Sequence, residues 1–149
     1  MSTVHASTRI HAPIDRVWET VMDPDRFKDW VTIHRGVSDV SSHPLRNGST
    51  MRQMLCLRGV NFHVNWTLVH VDEPHGAEWS GQGPAHSRAL IRYQLSEDGD
   101  GTTTFDYTNE FKAPGGVLGN VASRVIVHGL SEREAHNSLA RLKNLLEQS

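Results

Sequence analysis

Residues Arg9 to Trp30 read RIHAPIDRVWETVMDPDRFKDW, and the changes of period inside this stretch decide the fold. Up to His11 the chain alternates, with Val4, Ala6, Thr8 and Ile10 on one face and His5, Ser7, Arg9 and His11 on the other, which predicts a strand. At Ala12-Pro13 the proline fixes φ and suits a first helical turn. Val17, Trp18 and Val21 then recur at helical spacing, and Asp23-Pro24 stops that helix and starts another carrying Phe27 and Trp30. The reading is one strand followed at once by two short helices.

Beyond Trp30 the helical period is lost. Extended segments are predicted near 35–42, 49–58, 61–71, 76–82, 86–96 and 102–112, which with the first strand makes seven. Turn chemistry separates them: Arg46-Asn47-Gly48, Arg58-Gly59, Glu73-Pro74-His75-Gly76, Gly83-Pro84 and Asp98-Gly99-Asp100-Gly101. Connections this short imply antiparallel hairpins in a meander. Alternation picks out an inner face: Phe62, Val64, Trp66 and Leu68; then Ala89, Ile91 and Tyr93, opposite Arg88 and Arg92; then Phe105, Tyr107, Asn109 and Phe111. In TMRQMLCLR the set Met51, Leu55 and Leu57 outnumbers Met54 and Cys56 and is assigned inward.

From Gly116 the period is helical again. A stripe of Val121, Val125, His128, Glu132, Ala135, Leu139, Leu142 and Leu146 predicts one helix from near Gly116 to past Leu145, roughly 45 Å long at 1.5 Å per residue. The Gly-rich run Ala113 to Gly119 is read as the turn into it and a gate over a cavity mouth. The class is α+β.

Ala12-Pro13, Val17-Trp18, Asp23-Pro24 and Trp30, followed by strands and one terminal helix, resemble the SRPBCC superfamily, the START-like and Bet v 1-like helix-grip proteins that include polyketide cyclases. The resemblance covers essentially the whole chain. It implies a helix-grip fold, a seven-stranded antiparallel sheet wrapped around a long C-terminal helix with two short helices after the first strand, in a single domain spanning 1–149. It also implies a cavity between sheet and helix that takes lipids, sterols, hormones or polyketide intermediates.

Composition narrows the partners. A net charge of −2 over 149 residues leaves no basic footprint for nucleic acid, and no apolar run approaches a membrane span. Cys56 is alone and the N-terminal residues lack a signal-peptide core, so a cytoplasmic monomer or homodimer is expected. No cofactor is expected. A metal is not expected either, because the histidine pairs lack ligand spacing and no HExxH occurs.

Candidate ligand-binding residues are Trp30, Met51, Leu55, Trp66, Trp79, Tyr93, Tyr107, Asn109, Phe111, Val125, His128 and Glu132. The aromatics form either ordinary core or pocket walls. His128 and Glu132 stand four apart on the apolar stripe: either they face the cavity, orienting a carbonyl or acting as acid and base, or the stripe bends at Gly129 and they are solvated. Asn109 serves ligand or backbone. His128, Glu132 and Asn109 are thus the catalytic candidates. The leading function is binding of a hydrophobic or aromatic small molecule, polyketide- or lipid-like. The alternatives are an aromatase/cyclase using acid/base-assisted aldol cyclisation and dehydration, and a self-resistance protein sequestering a toxic natural product.

Overall fold

In the chain's computed structural model, residues 2–112 and 130–148 are described. Strand β1 (Ser2–Ile10) leads through Pro13 into helix α1 (Ile14–Val21), a 3-10 turn at Pro24–Arg26, and helix α2 (Phe27–Trp30). Six strands follow: β2 (His34–Ser38), β3 (Thr50–Leu57), β4 (Val60–Asp72), β5 (Gly76–Gln82), β6 (Arg88–Glu97) and β7 (Thr103–Lys112). Helix α3 (Glu132–Glu147) is the C-terminal element. The strands form one seven-stranded antiparallel sheet in the order β1-β7-β6-β5-β4-β3-β2.

The local chemistry at the front of the chain is what the sequence predicts. Pro13 caps α1, whose Ile14, Val17, Trp18 and Val21 are buried. Asp23 then accepts the Asp25 N–H at 3.0 Å through Oδ1, opening the next turn with Pro24 in place. Trp18 Nε1 donates to Glu73 Oε1 at 3.0 Å, tying α1 to the β4–β5 turn. α2 is only four residues long, yet it plants Phe27 and Trp30 in the core.

The period-two assignments hold across the sheet. Val64, Trp66 and Leu68 are buried in β4, Tyr93 and Leu95 in β6, and Phe105, Tyr107 and Asn109 in β7. In β3 the inner face is Met51, Leu55 and Leu57, and Gln53 joins them. A bulge between Leu68 and His70 swings Val69 into solvent and returns Val71 to the partly buried side. β2 is shorter than expected, starting at His34 and ending at Ser38. β6 starts at Arg88 because Pro84–His86 forms a 3-10 turn.

One expectation is corrected. The terminal helix does not run unbroken from near Gly116, because Ser131 is its N-cap, with extended backbone (φ −83°, ψ 158°) and Oγ accepting the Glu134 N–H at 3.1 Å. Residues 113–129, with the predicted gate, Val121, Val125 and His128, lie outside the described residues. The 16 residues of α3 span roughly 24 Å at 1.5 Å each. Ala135, Ser138, Leu139, Leu142 and Leu146 form its buried face, against β1 and α2. Lys143 Nζ donates to the Arg9 carbonyl at 2.5 Å and to Glu147 Oε2 at 2.8 Å, and the same carboxylate accepts the His11 N–H at 2.8 Å. The Thr32 N–H donates to Ser138 Oγ at 3.1 Å and Thr32 Oγ1 donates to Glu134 Oε2 at 2.7 Å, joining the end of α2 to α3.

Candidate functional site

A sheet that curls past a straight helix cannot be filled by interdigitating side chains everywhere. Here the space left is a cavity of about 110 Å³, against the roughly 10–15 Å³ a single water needs, so it has room for an organic molecule. Antiparallel register places its walls. Met51 of β3 lies opposite Trp66 of β4, Trp79 of β5 opposite Ile91 of β6, Tyr93 opposite Tyr107, and Asn109 and Phe111 of β7 opposite Ile91 and Ala89. All these side chains line the cavity, as do Leu55 from β3, Trp30 from α2 and Leu139 from α3.

Nine of the twelve predicted binding residues therefore line one cavity: Trp30, Met51, Leu55, Trp66, Trp79, Tyr93, Tyr107, Asn109 and Phe111. Val125 and His128 lie outside the described residues. Glu132 is corrected: it is exposed at the first residue of α3 and does not line the cavity. The helix starts at the Ser131 cap, and an acidic side chain in a first turn is favoured by the unpaired N–H groups of the helix start.

The polar groups of the wall are specific in their partners. Trp66 Nε1 donates to Gln53 Oε1 at 2.8 Å, and Gln53 Nε2 lies 2.9 Å from His34 Nδ1. Asn109 Nδ2 donates to the Tyr107 hydroxyl at 3.1 Å. Burial pushes the Tyr107 phenol up to about 12, with the Asn109 hydrogen bond pulling the other way. The Tyr93 phenol is raised by burial and then by Tyr107. Both phenols are thus neutral near pH 7. Trp30 and Trp79 differ from Trp66: each indole Nε1 is buried and has no hydrogen-bond partner among the described residues. The Trp30 ring is held by Phe105, edge-on at 6.1 Å, and by Tyr93 at 6.3 Å.

This cavity under a curled antiparallel sheet has a counterpart in the sequence: residues 1–147 match the family described as polyketide cyclase / dehydrase and lipid transport. The chain belongs to the polyketide cyclase/dehydrase family. Among curated relatives, "Toxin Rv0910" of Mycobacterium tuberculosis is 24% identical over 83 residues, 56% of this chain and 58% of that protein, so the match spans little more than half of either. Among solved structures, the Zhui aromatase/cyclase from a Streptomyces species superposes with a TM-score of 0.74 at 17% identity, covering 99% of this chain and 94% of that one. A START superfamily protein from Mycobacterium smegmatis superposes with a TM-score of 0.73 at 13% identity, covering 98% and 97%. At these identities the two structures share the fold with this polyketide cyclase/dehydrase family member.

Among the described residues no carboxylate or imidazole lines the cavity, and the polar groups they bring to this family member's walls are indoles, phenols, amides, the hydroxyls of Ser87 and Ser138 and the guanidinium of Arg88. Such groups orient a ligand through hydrogen bonds. Arg88, read from alternation as facing away from Tyr93, is exposed yet borders the cavity beside Ser87 and Gly83. Arg92 stays on the outer face, paired with Glu78 at 2.8 Å. Ser138 of α3 also lines the cavity; Gln53, Ser87 and Ser138 are buried polar wall residues that sequence reasoning missed. Gln53 was detectable, since it alternates with Met51 and Leu55 and so shares their face. No helix among the described residues is long and apolar enough to cross a membrane.

Proposed function

We propose that this chain binds a neutral, largely apolar aromatic molecule that carries hydrogen-bond acceptors. Trp30, Met51, Leu55, Trp66, Trp79, Tyr93, Tyr107, Asn109 and Phe111 are its contacts. One observation supports the acceptor requirement: two of the three tryptophans lining the cavity, Trp30 and Trp79, have buried indole N–H groups without a partner among the described residues. An unsatisfied buried donor costs about 1–3 kcal/mol, and an indole can only donate, so a ligand oxygen reaching either nitrogen relieves that cost. The apolar remainder of the wall supplies the affinity that hydrogen bonds alone do not.

The test compares 1-tetralone with tetralin, which differ by one carbonyl. Binding, followed by tryptophan emission and by melting temperature, is expected to be at least about tenfold tighter for the ketone. Trp30→Phe and Trp79→Phe are expected to narrow that ratio. Equal affinity for the two compounds refutes the acceptor requirement, and no response to either removes the binding proposal's support.

A second reading, cyclisation of a poly-β-ketone, is favoured by the Asn109–Tyr107 hydrogen bond inside the cavity. The phenol oxygen accepts from Asn109 and keeps its own proton to donate to the ligand carbonyl oxygen attacked by the enol carbon of the β-polyketone, the enol hydroxyl proton then restoring the phenol. Turnover of a β-polyketone thioester that falls in Tyr107→Phe, with affinity retained, supports this reading over binding alone.

A further inference from the structure

Trp66 differs from the other two cavity tryptophans in having an internal partner, and that partner is itself held from outside the cavity. Its Nε1 donates to Gln53 Oε1 at 2.8 Å. Since an indole cannot accept, the amide oxygen of Gln53 must face it and the amide nitrogen must face His34, 2.9 Å away at Nδ1. An amide nitrogen only donates, so Nδ1 must accept and the ring proton must sit on Nε2. The chain Trp66, Gln53, His34 has one consistent direction, and it requires a neutral imidazole.

We propose that His34 is a positioning residue for the binding cavity: through Gln53 it holds the Trp66 wall in place, and protonation of His34 releases that wall and weakens the binding of aromatic ligands. An imidazolium carries N–H on both nitrogens, so its Nδ1–H meets the NH₂ group of Gln53. Gln53 then either flips, turning its NH₂ toward the Trp66 N–H, or swings away. Both leave the indole without its acceptor. Trp66 cannot settle against β5 in response, because a Cβ at Gly81 would lie only 2.5 Å from its Cζ3: the ring already occupies that side.

The surroundings of His34 favour the neutral ring. From α2 come Lys28 and the Phe27 ring, edge-on at 5.9 Å, while Asp29 of α2 is paired with Arg26 of the preceding 3-10 turn at 2.8 Å. From its own strand comes Arg35, while its β3 partner Leu55 and hydrogen-bond partner Gln53 are uncharged. Burial, then the Arg35 charge, then the Lys28 charge hold the imidazole below its ordinary value of 6.5. Release therefore belongs to the acid side of 6.5.

The affinity part of this inference rests on the binding proposal above; the indole part does not. The experiment follows the indole N–H resonances of the full chain by nuclear magnetic resonance from neutral pH to about pH 5. The Trp66 signal is identified by its loss in Trp66→Phe, and binding of the fluorescent probe anilinonaphthalene sulfonate is measured alongside. The Trp66 resonance is expected to move with the same midpoint as the His34 ring, and the probe to bind about fivefold or more weakly on the acid side. His34→Asn, whose Oδ1 accepts near the position of Nδ1 without titrating, is expected to abolish both changes. Gln53→Met, which fills the space without the relay, is expected to do the same, and serves if the asparagine variant does not fold. A Trp66 signal that stays fixed while His34 titrates, or a pH dependence that persists in either variant, overturns the proposal. A titrating Trp66 signal with no probe binding at any pH refutes the binding proposal and supports the relay.

Discussion

The chain's two tyrosines both sit in the cavity wall, where burial raises their phenols above the ordinary value of 10, to about 12 for Tyr107. An acid whose folded value is raised ionises first in the unfolded chain, so stability is lost as the pH climbs above 10. Tyrosinate absorbance is therefore expected to appear together with loss of near-ultraviolet circular dichroism, and not before it. His34 has the opposite sign at the other end of the scale. Its folded value lies below 6.5, so as pH falls through 6.5 the unfolded chain takes up the proton first and stability declines. The melting temperature is expected to drop below that pH in the native protein and to drop less in His34→Asn. Gln53, which links this histidine to the cavity, is polar at an inward position. Its alternation was visible in the sequence, but its two partners come from β4 and β2, which no local pattern pairs with it.

At the scale of elements, β5 shows why a glycine stands where a strand prefers a side chain. A Cβ on Gly81 would fall 2.5 and 2.6 Å from the Trp66 ring and 2.8 Å from Val64 Cγ1, so the backbone of β5 is the shelf on which the Trp66 ring lies. Gly81→Ala is expected to cost roughly 1–3 kcal/mol and to shift tryptophan emission, measured by denaturant unfolding and fluorescence. Gly36, where a Cβ would meet nothing within 4 Å, is the control, and Gly36→Ala is expected to stay within about 0.5 kcal/mol. Helix α3 tests the corrected boundary. Leu142 is fully buried and its replacement by alanine is expected to cost about 2–5 kcal/mol, whereas exposed Glu132 to glutamine is expected to cost at most about 1 kcal/mol and to leave ligand affinity unchanged. The boundary was misread because apolar periodicity runs through Ser131 without a break. The run Ser131-Glu132-Arg133-Glu134 carries a helix-start pattern, and in the structure the Ser131 hydroxyl caps Glu134 while the Glu134 carboxylate turns to Thr32.

For the whole molecule, the sheet order puts β1 beside β7, so the first and last strands close the meander under α3. The closure is held by Lys143 and Glu147 at one end of α3 and by Thr32 with Ser138 and Glu134 at the other. Ser138→Ala removes the acceptor of the Thr32 N–H and is expected to cost about 1–3 kcal/mol in chemical denaturation, because that donor is then left short of a partner. The cavity lies between these two fastenings and the centre of the sheet. If ligand fills it, loosening the α2–α3 tie is expected to weaken binding by more than the loss of stability alone explains, which titration of the ketone probe into Ser138→Ala checks.

The identity of the strands, their inner faces and the N-terminal strand-helix-helix unit were determined by the sequence itself. They depend on period, proline and turn chemistry, which are local properties of neighbouring residues. Which aromatics share one wall could be inferred from those faces once the helix-grip resemblance was invoked. Three things belonged to the tertiary structure alone: that Trp66 has a partner while Trp30 and Trp79 have none among the described residues, that Glu132 faces solvent, and that Gln53 links Trp66 on one neighbouring strand to His34 on the other. Each depends on a partner brought in from another strand or on the point where a helix is capped, and hydrogen bonds between side chains far apart in the chain leave no period to read.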